Sequence, residues 1–137
     1  MNIHQFSKAK VKWSVVIQAH DRSMDGVTWN VSPNGLFIRC AKPLRLYEVC
    51  NLTIDVPGAE GLVEASAEVV WSNIFGQDDE ATPRGMGVRF LHISSKDRQA
   101  IAKELLQQLK AEKVDPSELQ DLRTIMMGKD EISSEAA

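Results

Sequence analysis

Val27-Thr28-Trp29-Asn30-Val31-Ser32-Pro33-Asn34-Gly35-Leu36-Phe37-Ile38 is the stretch that decides the fold. Val27, Trp29 and Val31 alternate with polar or small residues, and Leu36-Phe37-Ile38 resumes an apolar pattern beyond Ser32-Pro33-Asn34-Gly35. Two strand-like runs around such a turn predict a β-hairpin. Pro33 presets φ at the second turn position, the Ser32 hydroxyl can bond the backbone ahead of it, and Asn34 and Gly35 tolerate positive φ. Turns of this composition are common, so a plain hairpin accounts for the stretch. A sharper reading makes Asn30, Ser32 and Gly35 a polar shelf whose side chains and bare backbone receive a ligand.

Strand signals continue on both sides of the hairpin. Upstream, Trp13 to Ala19 is rich in β-branched residues at Val15, Val16 and Ile17. A polar loop, His20 to Gly26, then ends in Asp25-Gly26, a turn signal. Downstream, Ala41 to Leu46 is a connection, because Pro43 is unsuited to a central strand. Val49 to Val56 alternates, and Pro57 to Gly61 is a turn. Leu62 to Ser72 predicts a long strand with Val63, Ala65, Ala67, Val69 and Trp71 on one face. Asn73 to Arg84 reads as an exposed, variable loop. Gly85 to His92 is the last strand, with Met86, Val88 and Phe90 on one face.

The apolar period then changes from two to that of a helix. Ser94 or Ser95 caps a helix running to about Lys113, with Ile101, Leu105, Leu106 and Leu109 as its stripe. Asp115-Pro116-Ser117-Glu118 starts a second, short helix whose apolar face is Leu119, Leu122, Ile125 and Met126. That face either docks on the domain or pairs with another chain, which would make a homo-oligomer. About six strands followed by helices, with no βαβ alternation, predict a mainly β protein: an antiparallel barrel or sandwich with a C-terminal helix. The organisation expected is a flexible basic arm over 1–12, a barrel plus helix over 13–113, and a second helix with a disordered tail over 114–137.

The 137 residues suit one domain, large enough to bury a core without disulfides or a metal. The net charge of −3 argues against general nucleic-acid or anionic-membrane binding, which needs a broad basic surface. No signal peptide and no membrane-length apolar run is visible, so a cytoplasmic location is expected. Cys40 and Cys50 lack metal-ligand spacing and read as reduced, half-buried thiols. His4, His20 and His92 are scattered, and nucleophile-elbow, zinc-protease and phosphate-loop motifs are missing, so no enzyme and no cofactor is expected. Trp13, Trp29 and Trp71 are expected to pack in the core or at the barrel ends.

In order along the chain, four features resemble the PilZ domain family. They are a basic pair at Lys8 and Lys12, Asn30-Val31-Ser32-Pro33-Asn34-Gly35 as [DN]-x-S-x-x-G, Gly85-Met86-Gly87-Val88-Arg89-Phe90, and a terminal helix. The resemblance spans about Phe6 to Leu109. It implies a six-stranded antiparallel β-barrel with a C-terminal helix, and a receptor role for the bacterial second messenger cyclic di-GMP. It also implies that Lys8 and Lys12 fold over the ligand while Asn30, Ser32 and Gly35 form the opposite wall. Arg39 and Arg89, on flanking strands, are further ligand-binding candidates.

The family has arginine where this chain has Lys8 and Lys12. Lysine keeps the charge but has neither the planar fork nor the stacking surface. Without its bidentate grip on a guanine, each position forfeits about 1–3 kcal/mol. Two readings follow. One is an effector that binds cyclic di-GMP and signals to a protein partner. The alternative is a degenerate adaptor that acts by protein contacts alone, through its C-terminal helices.

Overall fold

The structure, a computed structural model, describes residues 10–111 and 122–126. Six strands appear in chain order: β1 (Ser14–Gln18), β2 (Ser23–Ser32), β3 (Gly35–Arg39), β4 (Val49–Ile54), β5 (Val63–Asn73) and β6 (Gly85–Ile93), followed by helix α1 (Ser95–Ala111). All pairings are antiparallel, and the order β1-β2-β3-β6-β5-β4 closes through β1 against β4. Of the two architectures left open by the strand pattern, the chain adopts the barrel. Closure leaves no sheet edge to aggregate.

Inward positions follow the period of two. Val15 and Ile17, Leu36 and Ile38, Leu52 and Ile54, and Met86 and Val88 are each buried in one core cluster. Helix α1 adds Ile101, Leu105, Leu106 and Leu109 to it. Ser94 caps α1, its Oγ accepting from the Asp97 N–H at 3.1 Å. Asp97 in the first turn and Lys110 in the last suit the helix dipole.

Residues 122–126 are helical, and Leu122 and Ile125 are buried in the same cluster. This part of the second helix therefore packs on the domain. A charge at Leu122 would disrupt the core and could not report on a partner interface. The start of that helix, the tail, and Lys8 lie outside the described residues.

The strand alternation expected from sequence fails at defined places. The polar loop before the hairpin is shorter than expected, because β2 already begins at Ser23 and Gly26 pairs with Val15. Asp25-Gly26 is thus strand, not turn. A β-carbon on Gly26 would lie 2.7 Å from Ile38 Cγ2, so close packing, not a turn, requires this glycine. A bulge between Thr28 and Asn30 breaks the Val27, Trp29, Val31 series: Val27 is exposed, whereas Thr28 and Val31 are buried. A second bulge between Val69 and Trp71 turns Trp71 away from the face that holds Val63, Ala65, Ala67 and Val69.

Cys40 and Cys50 are both free and buried, more deeply than expected. Burial pushes each thiol up to about 11 from an ordinary value near 9, against a small lowering at Cys40 from Arg22. The folded state thus keeps protons that an unfolded chain releases. The stability this contributes is complete below about pH 9 and is lost as pH rises toward 11. The urea midpoint should fall across that window, and a Cys40→Ala/Cys50→Ala variant should show a flatter pH profile. Identical slopes for the two proteins would refute the assignment.

Candidate ligand-binding face

The outward positions of β2, β3, β6 and β5 are set by register. One row runs Val27, Arg39, Gly85, Asn73; the next runs Asn30, Phe37, Gly87, Trp71; the third runs Ser32, Gly35, Arg89, Glu68. Neighbouring strands stand about 4.8 Å apart. Asn30, Ser32, Gly35, Arg39 and Arg89 therefore share one outer face, although they are spread over 60 positions of sequence.

Their environments differ. Asn30 is half-buried, and Arg39 and Arg89 are exposed. Ser32 is only 2% exposed, and its hydroxyl serves the turn: it donates to the Gly35 carbonyl at 3.3 Å and accepts from the Asn34 N–H at 3.2 Å. Gly35 is not in the left-handed region. Its glycine is required by close approach, since a β-carbon would stand 2.1 Å from the Val88 carbonyl oxygen.

Carboxylates hold both arginines. Arg39 Nη2 lies 3.8 Å from Asp78 Oδ1, and Arg89 places Nη2 and Nε 2.7 and 2.9 Å from Glu68 Oε1. Exposed pairs of this kind contribute about 0–1 kcal/mol, so a ligand anion can exchange with either carboxylate at little cost.

The end of the basic arm is fastened to β2 beside this face, at the inward-facing Thr28. The Thr28 hydroxyl donates to the Val11 carbonyl and accepts from the Trp13 N–H at 2.8 Å, and the Thr28 N–H donates to the Trp13 carbonyl at 2.9 Å. Lys12, between these two anchored residues, is exposed. Lys10 extends its Nζ to 5.3 Å from the centre of the Trp29 ring, and the Arg39 guanidinium lies 5.1 Å from the same ring. Two cations thus converge on one indole, an arrangement favoured by the ring quadrupole.

Trp13 is in the core as expected, but Trp29 and Trp71 are half-buried on the outer side. Phe37 stacks against Trp71 with centroids 5.1 Å apart and planes at 50°. Phe37 is buried yet stands apart from the core cluster. Sequence reading missed Lys10, Phe37 and the outward facing of both tryptophans, because the two bulges that turn them leave no compositional mark.

It also missed Arg98, on α1. This guanidinium is 3% exposed, donates from Nε to the Pro33 carbonyl at 3.2 Å and from Nη2 to Asn34 Oδ1 at 2.9 Å. Hydrogen bonds with a charged partner contribute about 1.5–3 kcal/mol each, well above the exposed ion pairs on the same face.

The loop over residues 74–84 borders this face and is built, not loose. Asn73 Nδ2 donates to the Gln77, Thr82 and Pro83 carbonyls at 2.8 to 3.2 Å, and Arg84 Nη2 donates to the Gly76 carbonyl at 2.7 Å. The Thr82 N–H and hydroxyl, followed by the Ala81 N–H, hold the Asp79 carboxyl below its ordinary range.

The family model of the PilZ domain matches residues 3–107. The chain belongs to the PilZ domain family. This is a family of binding and adaptor domains, and the closed barrel with its terminal helix is the PilZ fold. Among solved structures, this PilZ protein is similar to the Bacillus subtilis inhibitor of motility MotI/DgrA, with a TM-score of 0.64 and 21% identity. The likeness covers 78% of this chain and 52% of that one, so the chain spans about half of MotI/DgrA. No curated protein matches the chain.

Proposed function

We propose that the protein is a cyclic di-GMP-binding signalling effector, with the ligand held between the basic arm and the outer face of β2, β3 and β6. The observation that supports this best is the register that gathers Asn30, Gly35, Arg39 and Arg89 on one face, on the strands beside the point where the arm is fastened to β2. The ligand carries two phosphates and two guanines. Arg39 and Arg89 have the planar fork for either group, and Asn30 can read a base edge. Lys8 and Lys12 supply phosphate contacts from the arm. Ser32 acts through the turn it closes, and Gly35 lets the backbone come close. The signal passes in the cytoplasm to a protein partner.

Calorimetric titration with cyclic di-GMP tests this reading. Arg39→Ala should weaken binding by at least about tenfold, the worth of one charge-assisted hydrogen bond. Asp78→Asn should tighten it by up to about fivefold, because it frees Arg39 from a pair worth at most about 1 kcal/mol. Equal affinities for the native protein and Arg39→Ala would sink the proposal.

One observation favours the adaptor reading as the second. Phe75 is 94% exposed and Tyr47 is 74% exposed, with Leu46 beside them, on the ordered loop and its neighbour. Tyr47 is held at a φ of 70° by backbone bonds of residues 47 and 48 to Val69. A non-glycine residue in that region is uncommon, and here the backbone bonds fix an exposed ring in place. An adaptor would engage its partner here, and not through the buried Leu122.

A further inference from the structure

We propose that Arg98 is the positioning residue of the ligand face, and that it carries changes in the Asn30–Gly35 turn into helix α1. The cyclic di-GMP reading is needed here only for the identity of the ligand.

Pro33 and Asn34 fill the last two unspecified positions of N-x-S-x-x-G, and Arg98 takes an acceptor from each. Asn34 is the hub. Its N–H goes to Ser32 Oγ at 3.2 Å, its carbonyl accepts from the Phe90 N–H at 2.9 Å, and its Oδ1 accepts from Arg98. The turn, β6 and α1 therefore meet at one residue. Ser32 cannot shift without moving the Asn34 N–H, and Asn34 cannot shift without moving the guanidinium. Arg98 sits in the first turn of α1, where its own N–H donates to the Ser94 carbonyl at 2.9 Å. A displacement is thus delivered to the capped end of the helix. The ion pairs of this face, Arg39 with Asp78 and Arg89 with Glu68, lie toward solvent and are screened by salt. The Arg98 link is buried and is not. Its geometry depends on a fork: lysine keeps the charge but cannot serve both acceptors from one fixed plane.

The test uses amide NMR spectra of the full chain. Without ligand, Ser32→Ala should move the amides of Ser95 to Gln99 in the native background, and should leave them in place when combined with Arg98→Lys. Asn34→Ala serves if Arg98→Lys fails to fold: it removes the Oδ1 contact and leaves the Pro33 carbonyl on Nε, so the α1 shifts caused by Ser32→Ala should shrink in that background. In parallel, cyclic di-GMP should bind Arg98→Lys at least tenfold more weakly, with a melting temperature that does not account for the loss. Turn amides that move while the first turn of α1 stays silent in the native background would overturn the proposal. So would α1 shifts that persist in the combined variant. If the native protein gives no heat with cyclic di-GMP, the ligand reading fails, and the ligand-free spectra still decide the role of Arg98.

Discussion

Gly35→Ala should destabilise the protein by about 3 kcal/mol, at the upper end of overpacking costs, and should remove ligand binding with it. A β-carbon at this position would lie 2.1 Å from the Val88 carbonyl oxygen, 3.0 Å from Arg89 Cα and 3.1 Å from the Val88 carbonyl carbon. These are backbone atoms of β6, which is paired on both sides in a closed barrel. No rotamer change can relieve the clash. The β3–β6 ladder must spread at Gly35 and Arg89, within the candidate face. Gly61→Ala is the control, since a β-carbon there meets nothing within 4 Å. That substitution should be neutral or stabilise by up to about 1 kcal/mol through the unfolded chain. Urea unfolding of both variants beside the native protein reads the difference, and an unchanged midpoint for Gly35→Ala would contradict the close-approach argument.

Gly35 also illustrates what sequence can and cannot convey. Its presence after Ser-Pro-Asn marks the hairpin correctly, but suggests positive φ as the reason, whereas the backbone is ordinary there and the constraint lies in the next strand. Local chemistry is legible; partners distant in sequence are not. The strands of Val15, Leu52 and Val88 announce themselves by alternation, because one side of each faces the core. Ser94 and the apolar stripe of α1 are equally plain. Trp71 is misread because a single extra residue, Val70, turns it to the other side of β5. Asp25-Gly26 is misread because a strong turn dipeptide can be overruled by pairing with β1. The site follows the same division. Asn30, Ser32 and Gly35 are visible as a motif, and Arg39 and Arg89 as cations of unknown facing that register then assigns. Arg98 lies 63 positions beyond Gly35 in a helix, with no spacing to connect it to the turn.

Lys8→Arg/Lys12→Arg should raise the affinity for cyclic di-GMP by about ten- to a hundredfold, the worth of one bidentate arginine–guanine pair. The gain should come mainly from position 12. Val11 and Trp13 are both pinned by Thr28, so an arginine between them projects from a fixed base and gives up little freedom on binding. Lys12→Arg alone should therefore recover most of the effect of the double variant. Titrations of the native protein, each single variant and the double variant separate the cases. Micromolar binding by the native protein makes the lysines an affinity setting. Silence from the native protein with binding by Lys12→Arg means that the face is sound and the arm alone disarms it, which favours the adaptor role. Silence from every variant removes the face as a cyclic di-GMP site and leaves the exposed surface of Leu46, Tyr47 and Phe75 as the place where this domain meets its partner.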